Sequence, residues 1–154
     1  MDALKAIFEN FDIAAFLPKV DTLLGWVETL LRICVMVGPL MLLGFGLVYL
    51  LVPPKEANYS AGYRFWWGMS SLEAWKFTHN VAGIVWTGLG LVLTVVMAVI
   101  CNAFRRMGTM DMVATAIKCL GWELGLVIVS VLAINITVFI VFDRYGYRRK
   151  EDAE

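Results

Sequence analysis

Residues 70–101 read SSLEAWKFTHNVAGIVWTGLGLVLTVVMAVIC, and this stretch decides the fold. It opens with a Ser-x-x-Glu box: Ser70 can accept a hydrogen bond from the backbone N–H three residues on, while Glu73 reaches back to the Ser70 N–H. From residue 81 to 101 no charge interrupts the apolar sequence. A helix unbroken from the box to residue 101 would be about 45 Å long at about 1.5 Å per residue, longer than a hydrocarbon core of about 30 Å is thick. Its first turns, with Trp75 and His79, are therefore expected at headgroup level. Trp75, His79, Ala82 and Trp86 fall on one stripe, and Lys76, Asn80, Gly83 and Thr87 on the adjacent one.

Two further runs, 33–52 and 120–142, also reach spanning length. With 60% hydrophobic residues, zero formal net charge and a mean hydropathy of +0.76, the 154-residue chain reads as a small polytopic membrane protein. The expected fold is all-α, with three transmembrane helices, an N-terminal amphipathic interfacial helix and a polar, aromatic loop between the first two spans. In segments, this is an amphipathic helix over 1–29, a first span over 30–52, and a motif loop over 53–70. A long helix holding the second span follows over 71–101, then an interfacial linker over 102–119, a third span over 120–142 and a basic tail over 143–154. Neutral charge gives no reason to expect direct nucleic-acid binding, because phosphate recognition needs clustered Lys and Arg.

Within residues 1–29, Leu4, Ile7, Phe8 and Phe11 share a helical face suited to the membrane interface. Asp2, Glu9 and Asp12 replace the basic start of a secretory signal, so the segment is expected to be retained. Pro18 is expected to end or bend this helix, Gly38-Pro39 to kink the first span, and Pro53-Pro54 to stop it. Gly44 and Gly46 would admit a close neighbour, as would Gly121-x-x-x-Gly125 at the start of the third span. Glu123 and Asn135 lie in otherwise apolar sequence and are expected to face protein, although Glu123 can also be placed at the interface. Met110, Val113, Ala114 and Ile117 form a short amphipathic pattern in the linker. Cys34, Cys101 and Cys119 lack metal or redox spacing and read as reduced packing residues. Six of the thirteen Lys and Arg fall on one side of three spans and seven on the other, and the cluster behind the third span favours a cytoplasmic tail and loop.

The order Asn58, Gly62-Tyr63-Arg64, Ser71-Leu72-Glu73-Ala74-Trp75 and His79 resembles the SdpI-type immunity protein family of bacterial membranes. There an Asn, a Gly-Tyr-Arg, a helix-starting Ser, and a Trp followed four residues on by Asn or His connect two spans. The resemblance covers roughly residues 47–96, outside the N-terminal helix and the third span. Phe65 stands where that family usually has Thr, and Trp66-Trp67 make this loop more membrane-seeking. The tail carries a second Tyr-Gly-Tyr-Arg. The resemblance implies a multi-pass protein of the bacterial inner membrane that protects against a membrane-active peptide toxin, with recruitment of a cytosolic repressor in the founding system.

Gly62 would let Tyr63 and Arg64 turn into the interface together, and Arg64 can fork onto a carboxylate, with Glu73 and Glu123 as internal partners, or onto a lipid phosphate. Three readings of this set follow: a lock of loop onto helix, a contact with toxin or lipid, or catalysis. His79 is the only histidine, so one chain offers no multi-histidine metal site, and no cofactor is expected. Catalysis would have to draw on Ser70, Ser71, Glu73 and His79. The first reading is a non-enzymatic membrane protein, with the immunity role that the resemblance implies. A structural or regulatory subunit of a larger membrane assembly, with homo-oligomerisation, comes second, and a lipid-modifying enzyme third.

Overall fold

The computed structural model describes residues 13–52 and 62–149, apart from the side chains of 13–18, 20 and 21. Among the described residues there are three long helices: α1 (Ile13–Leu51), α2 (Leu72–Ala103) and α3 (Thr109–Val141). Each supplies a segment long and apolar enough to cross a membrane, Thr22–Leu51, Leu72–Arg106 and Thr109–Val141, with mean hydropathies of 2.3, 2.5 and 2.8. The expected all-α, three-span architecture is the one observed. The expected interfacial helix at Leu4 to Phe11, the Pro53-Pro54 stop, Asn58 and the end of the basic tail lie outside the described residues.

α1 lies along α2, and α3 touches both. Glycine makes the first contact possible: a Cβ on Gly90 would fall 2.5 Å from the Leu43 nitrogen, and one on Gly46 would strike Trp86 and Thr87. Two backbones that close leave no room for a side chain. Gly44 meets nothing within 4 Å, so only Gly46 of that pair serves packing inside the chain. One apolar cluster, including Val35, Leu93, Met97, Phe104 and Cys119, fills one end of the bundle. Two smaller ones gather Tyr63, Ala82 and Ile134, and Ala74, Val138 and Phe142, beneath the loop. Large side chains such as Leu91, Val99, Trp122 and Ile140 point outward, as they do where the solvent is lipid.

Several boundaries differ from the sequence reading. α1 does not end at Pro18, because one missing N–H removes one bond from a ladder that continues on both sides. The linker over 102–119 contracts to a 3-10 turn, Phe104–Arg106, and the extended Gly108, after which α3 starts at once. On that first part of α3 the inward residues are Met112, Ala116 and Cys119, while Met110 and Ile117 are exposed. The apolar stripe read from the sequence thus faces away from the bundle, where lipid accepts it.

Candidate functional site

The loop residues described before α2, from Gly62 on, close onto the start of that helix through Gly62. Its φ of 114° is open to glycine alone at low cost, and a Cβ there would lie 2.5 Å from His79 Nε2 and 3.0 Å from the Trp75 ring. That approach lets the Tyr63 backbone N–H donate to His79 Nε2 at 2.9 Å. The other ring nitrogen, Nδ1, lies 2.9 Å from the Trp75 carbonyl oxygen. Nε2 accepts, so Nδ1 must carry the proton and donate to that carbonyl: the two partners specify a neutral imidazole of one tautomer. Trp75 and His79 are both fully buried, with ring centroids 4.2 Å apart.

Tyr63 then reaches the third span. Its hydroxyl donates to Asn135 Oδ1 at 2.6 Å, and its ring meets Trp86 edge-on at 5.4 Å. Burial, helped by the neighbouring Tyr49, pushes the Tyr63 phenol up to about 12, so it remains a donor throughout the physiological range. The carbonyl oxygen of Asn135, costly in lipid if alone, is given a donor by this bond. Trp86 in turn donates from Nε1 to Ser130 Oγ at 3.1 Å, and Ser130 to the Val127 carbonyl at 2.7 Å. Tyr49 of α1 completes the group, its ring centroid 4.9 Å from that of His79. One lattice therefore joins the loop to all three helices.

The predicted set divides. Gly62, Tyr63, Trp75, His79 and Asn135 come together. Arg64 is exposed and makes no ion pair among the described residues. The expected Arg64–Glu73 pairing does not form, because Glu73 takes Arg148 of the tail at 2.5 Å. Glu123 is no partner either, lying twelve residues and about 18 Å along α3 from Asn135. The capping box also shifts: Ser71, not Ser70, caps α2 by accepting from the Ala74 N–H at 3.0 Å, and Ser70 donates to the Trp67 carbonyl at 2.6 Å. A Cβ on Gly121 or Gly125 would meet nothing within 4 Å among the described residues.

Sequence reasoning put Trp86 on the right stripe but gave no role to Tyr49, Ser130 or Gly146. Gly146 has a φ of 85°, and a Cβ on it would fall 2.5 Å from Ser71 Cβ. Its carbonyl accepts from Ser71 Oγ at 2.9 Å, while Asp143 Oδ1 gathers the N–H groups of Tyr145 and Tyr147. The repeated Gly-Tyr-Arg was the available signal. In both copies a left-handed glycine seats a loop on the first turns of α2.

Because both His79 nitrogens are engaged, neither is free to take a proton from a nucleophile. Among the described residues, no three His, Cys, Asp or Glu are grouped to hold a metal ion. The SdpI/YfhL protein family model matches residues 55–142, more than half of the chain. This chain belongs to the SdpI/YfhL protein family. The match takes in the third span, beyond the roughly 47–96 that the motif order alone supported, and so includes Asn135. No curated protein and no solved structure matches. With its three spanning helices, this SdpI/YfhL member is a multi-pass membrane protein.

Proposed function

We propose that this SdpI/YfhL-family protein protects a bacterial cell against a membrane-active peptide toxin, acting in the cytoplasmic membrane by binding rather than by chemical turnover. The observation that carries this reading is the lattice itself. Bonds from Tyr63 to His79 and Asn135 hold the loop against two spans, while Arg64 and Trp66, the latter 85% exposed, are left facing outward. A preorganised loop that presents a cation and an indole at headgroup depth suits an amphipathic peptide, because little ordering remains to be done on binding. Protection would come from sequestering the toxin or occupying the place it needs. Recruitment of a cytosolic repressor belongs to the same proposal.

Survival of cells exposed to a panel of peptide toxins tests it. Arg64→Ala and Trp66→Ala variants, present in the membrane at the parent's level, are expected to lose protection. Full protection by both against every toxin the parent resists would remove this surface from the mechanism.

A second reading, a subunit of a larger membrane assembly, is favoured by the open Gly121 and Gly125 beside the exposed Trp122 and Val129. Sizing the detergent-solubilised protein separates the two, since a strict monomer that protects cells leaves no place for the assembly.

A further inference from the structure

The lattice at the loop leaves Glu123 unexplained. It is 6% exposed on α3, and its Oε1 is shielded and meets no hydrogen-bond partner. Its Oε2 lies where α1 has a glycine: a Cβ on Gly38 would come within 2.7 Å of it. The absent side chain makes the space for the carboxyl. Pro39 follows, fully buried, and because it has no N–H the Val35 carbonyl one turn earlier lacks its helical donor. A carboxyl thus packs against the turn of α1 that has an acceptor to spare.

Depth sharpens the question. Glu123 lies five residues, about 7.5 Å, along α3 from the exposed Lys118, and Gly38 lies six residues, about 9 Å, along α1 from Arg32. If those cations mark the headgroup boundary, the carboxyl is more than a turn inside the hydrocarbon. Arg32 does not neutralise it, being paired with Glu28 at 2.5 Å. The other titratable groups packed here are the thiols of Cys119, one turn back on α3, and Cys101 on α2, both buried in one apolar cluster. An ionised carboxylate would sit against the Gly38 turn in apolar surroundings with no cation paired to it among the described residues, an arrangement membranes penalise heavily. A neutral acid has an O–H to give. A metal ion would need more oxygen or sulfur ligands than the described residues assemble.

We propose that Glu123 is a proton-binding site within the membrane. The carboxyl is occupied by a proton at neutral pH, its O–H engages the Pro39 turn of α1, and release of that proton loosens α3 from α1. The site stands apart from the loop lattice and does not rest on the protective function.

Infrared spectroscopy of the full chain in lipid vesicles, together with dicyclohexylcarbodiimide labelling and peptide mass mapping, tests this. That reagent modifies protonated carboxyls in apolar surroundings. The expected result at neutral pH is a carboxylic-acid carbonyl band that is lost in Glu123→Gln, and an adduct on Glu123 but not on Glu28, Glu73 or Asp143. Glutamine keeps the shape without the charge, so unchanged helical circular dichroism would tie the lost band to the proton. If the variant fails to fold, mapping of the parent decides. A parent spectrum with no acid band, a band that survives in Glu123→Gln, or one that appears only when alkali cations are removed would overturn the proposal.

Discussion

Replacing Gly62 with alanine is expected to undock the loop while leaving the three helices in place. Holding a Cβ-bearing residue at a φ of 114° costs about 1–2 kcal/mol or more. The new methyl would also stand 2.5 Å from His79 Nε2, so the Tyr63 N–H is pushed off its acceptor, and leaving buried partners unmade costs about 1–3 kcal/mol. Together these weaken docking by about 3 kcal/mol, which raises the population of the open loop about 10²-fold. Arg64, exposed and two residues beyond Gly62, is a built-in reporter, because trypsin can cut after it once the loop opens. Where closing outpaces cleavage, the cutting rate follows that open population. Limited proteolysis of vesicle-embedded protein should therefore show cleavage after Arg64 accelerated by about two orders of magnitude, with circular dichroism unchanged. A rate within about twofold of the parent would mean that the glycine is not what seats the loop.

Tyr63→Phe and Asn135→Ala should each weaken the same docking by about 1–3 kcal/mol, and the double variant by little more than either, since each removes the same bond; strictly additive losses in the proteolysis assay would contradict the 2.6 Å contact. The Tyr63 phenol, raised from 10.0 to about 12, contributes stability that is complete below pH 10.0 and lost as pH climbs through about 12. The parent's thermal midpoint should accordingly fall across that window more steeply than that of Tyr63→Phe, and parallel curves would count against the assignment. Arg148→Ala breaks an ion pair whose side chains are 45% and 55% exposed, so it should cost under about 1 kcal/mol and the pair should weaken further in salt. A large loss of thermal stability there would show that the tail carries more of the fold than its contacts indicate.

The spans and the long second helix were legible because apolar length is a property of composition, and lipid imposes it directly. That Gly62, Tyr63, Trp75 and His79 belong near one another was legible, since a permissive glycine and a histidine one turn after a tryptophan are local signals. The wiring among them was not. Along the sequence Glu73 could reach the Ser70 N–H or Arg64, and the tail's Arg148 took it only because Gly146 folds that tail back onto Ser71. The outward turn of Met110 and Ile117 was likewise not settled by the pattern alone. An amphipathic pattern says which residues differ, but in a membrane the apolar face can belong outside.

By itself the chain's order of residues determined three spanning helices and a polar, aromatic joint between the first two, because hydrophobicity, proline and glycine act within a few residues of where they stand. Only tertiary packing decided that Tyr63 bonds Asn135 seventy-two positions away, that Arg64 faces outward, and that Glu123 lies unpaired against Gly38. Those outcomes depend on how helices rotate about one another, and rotation is settled by which side chains leave room for a neighbour, a quantity no single segment contains.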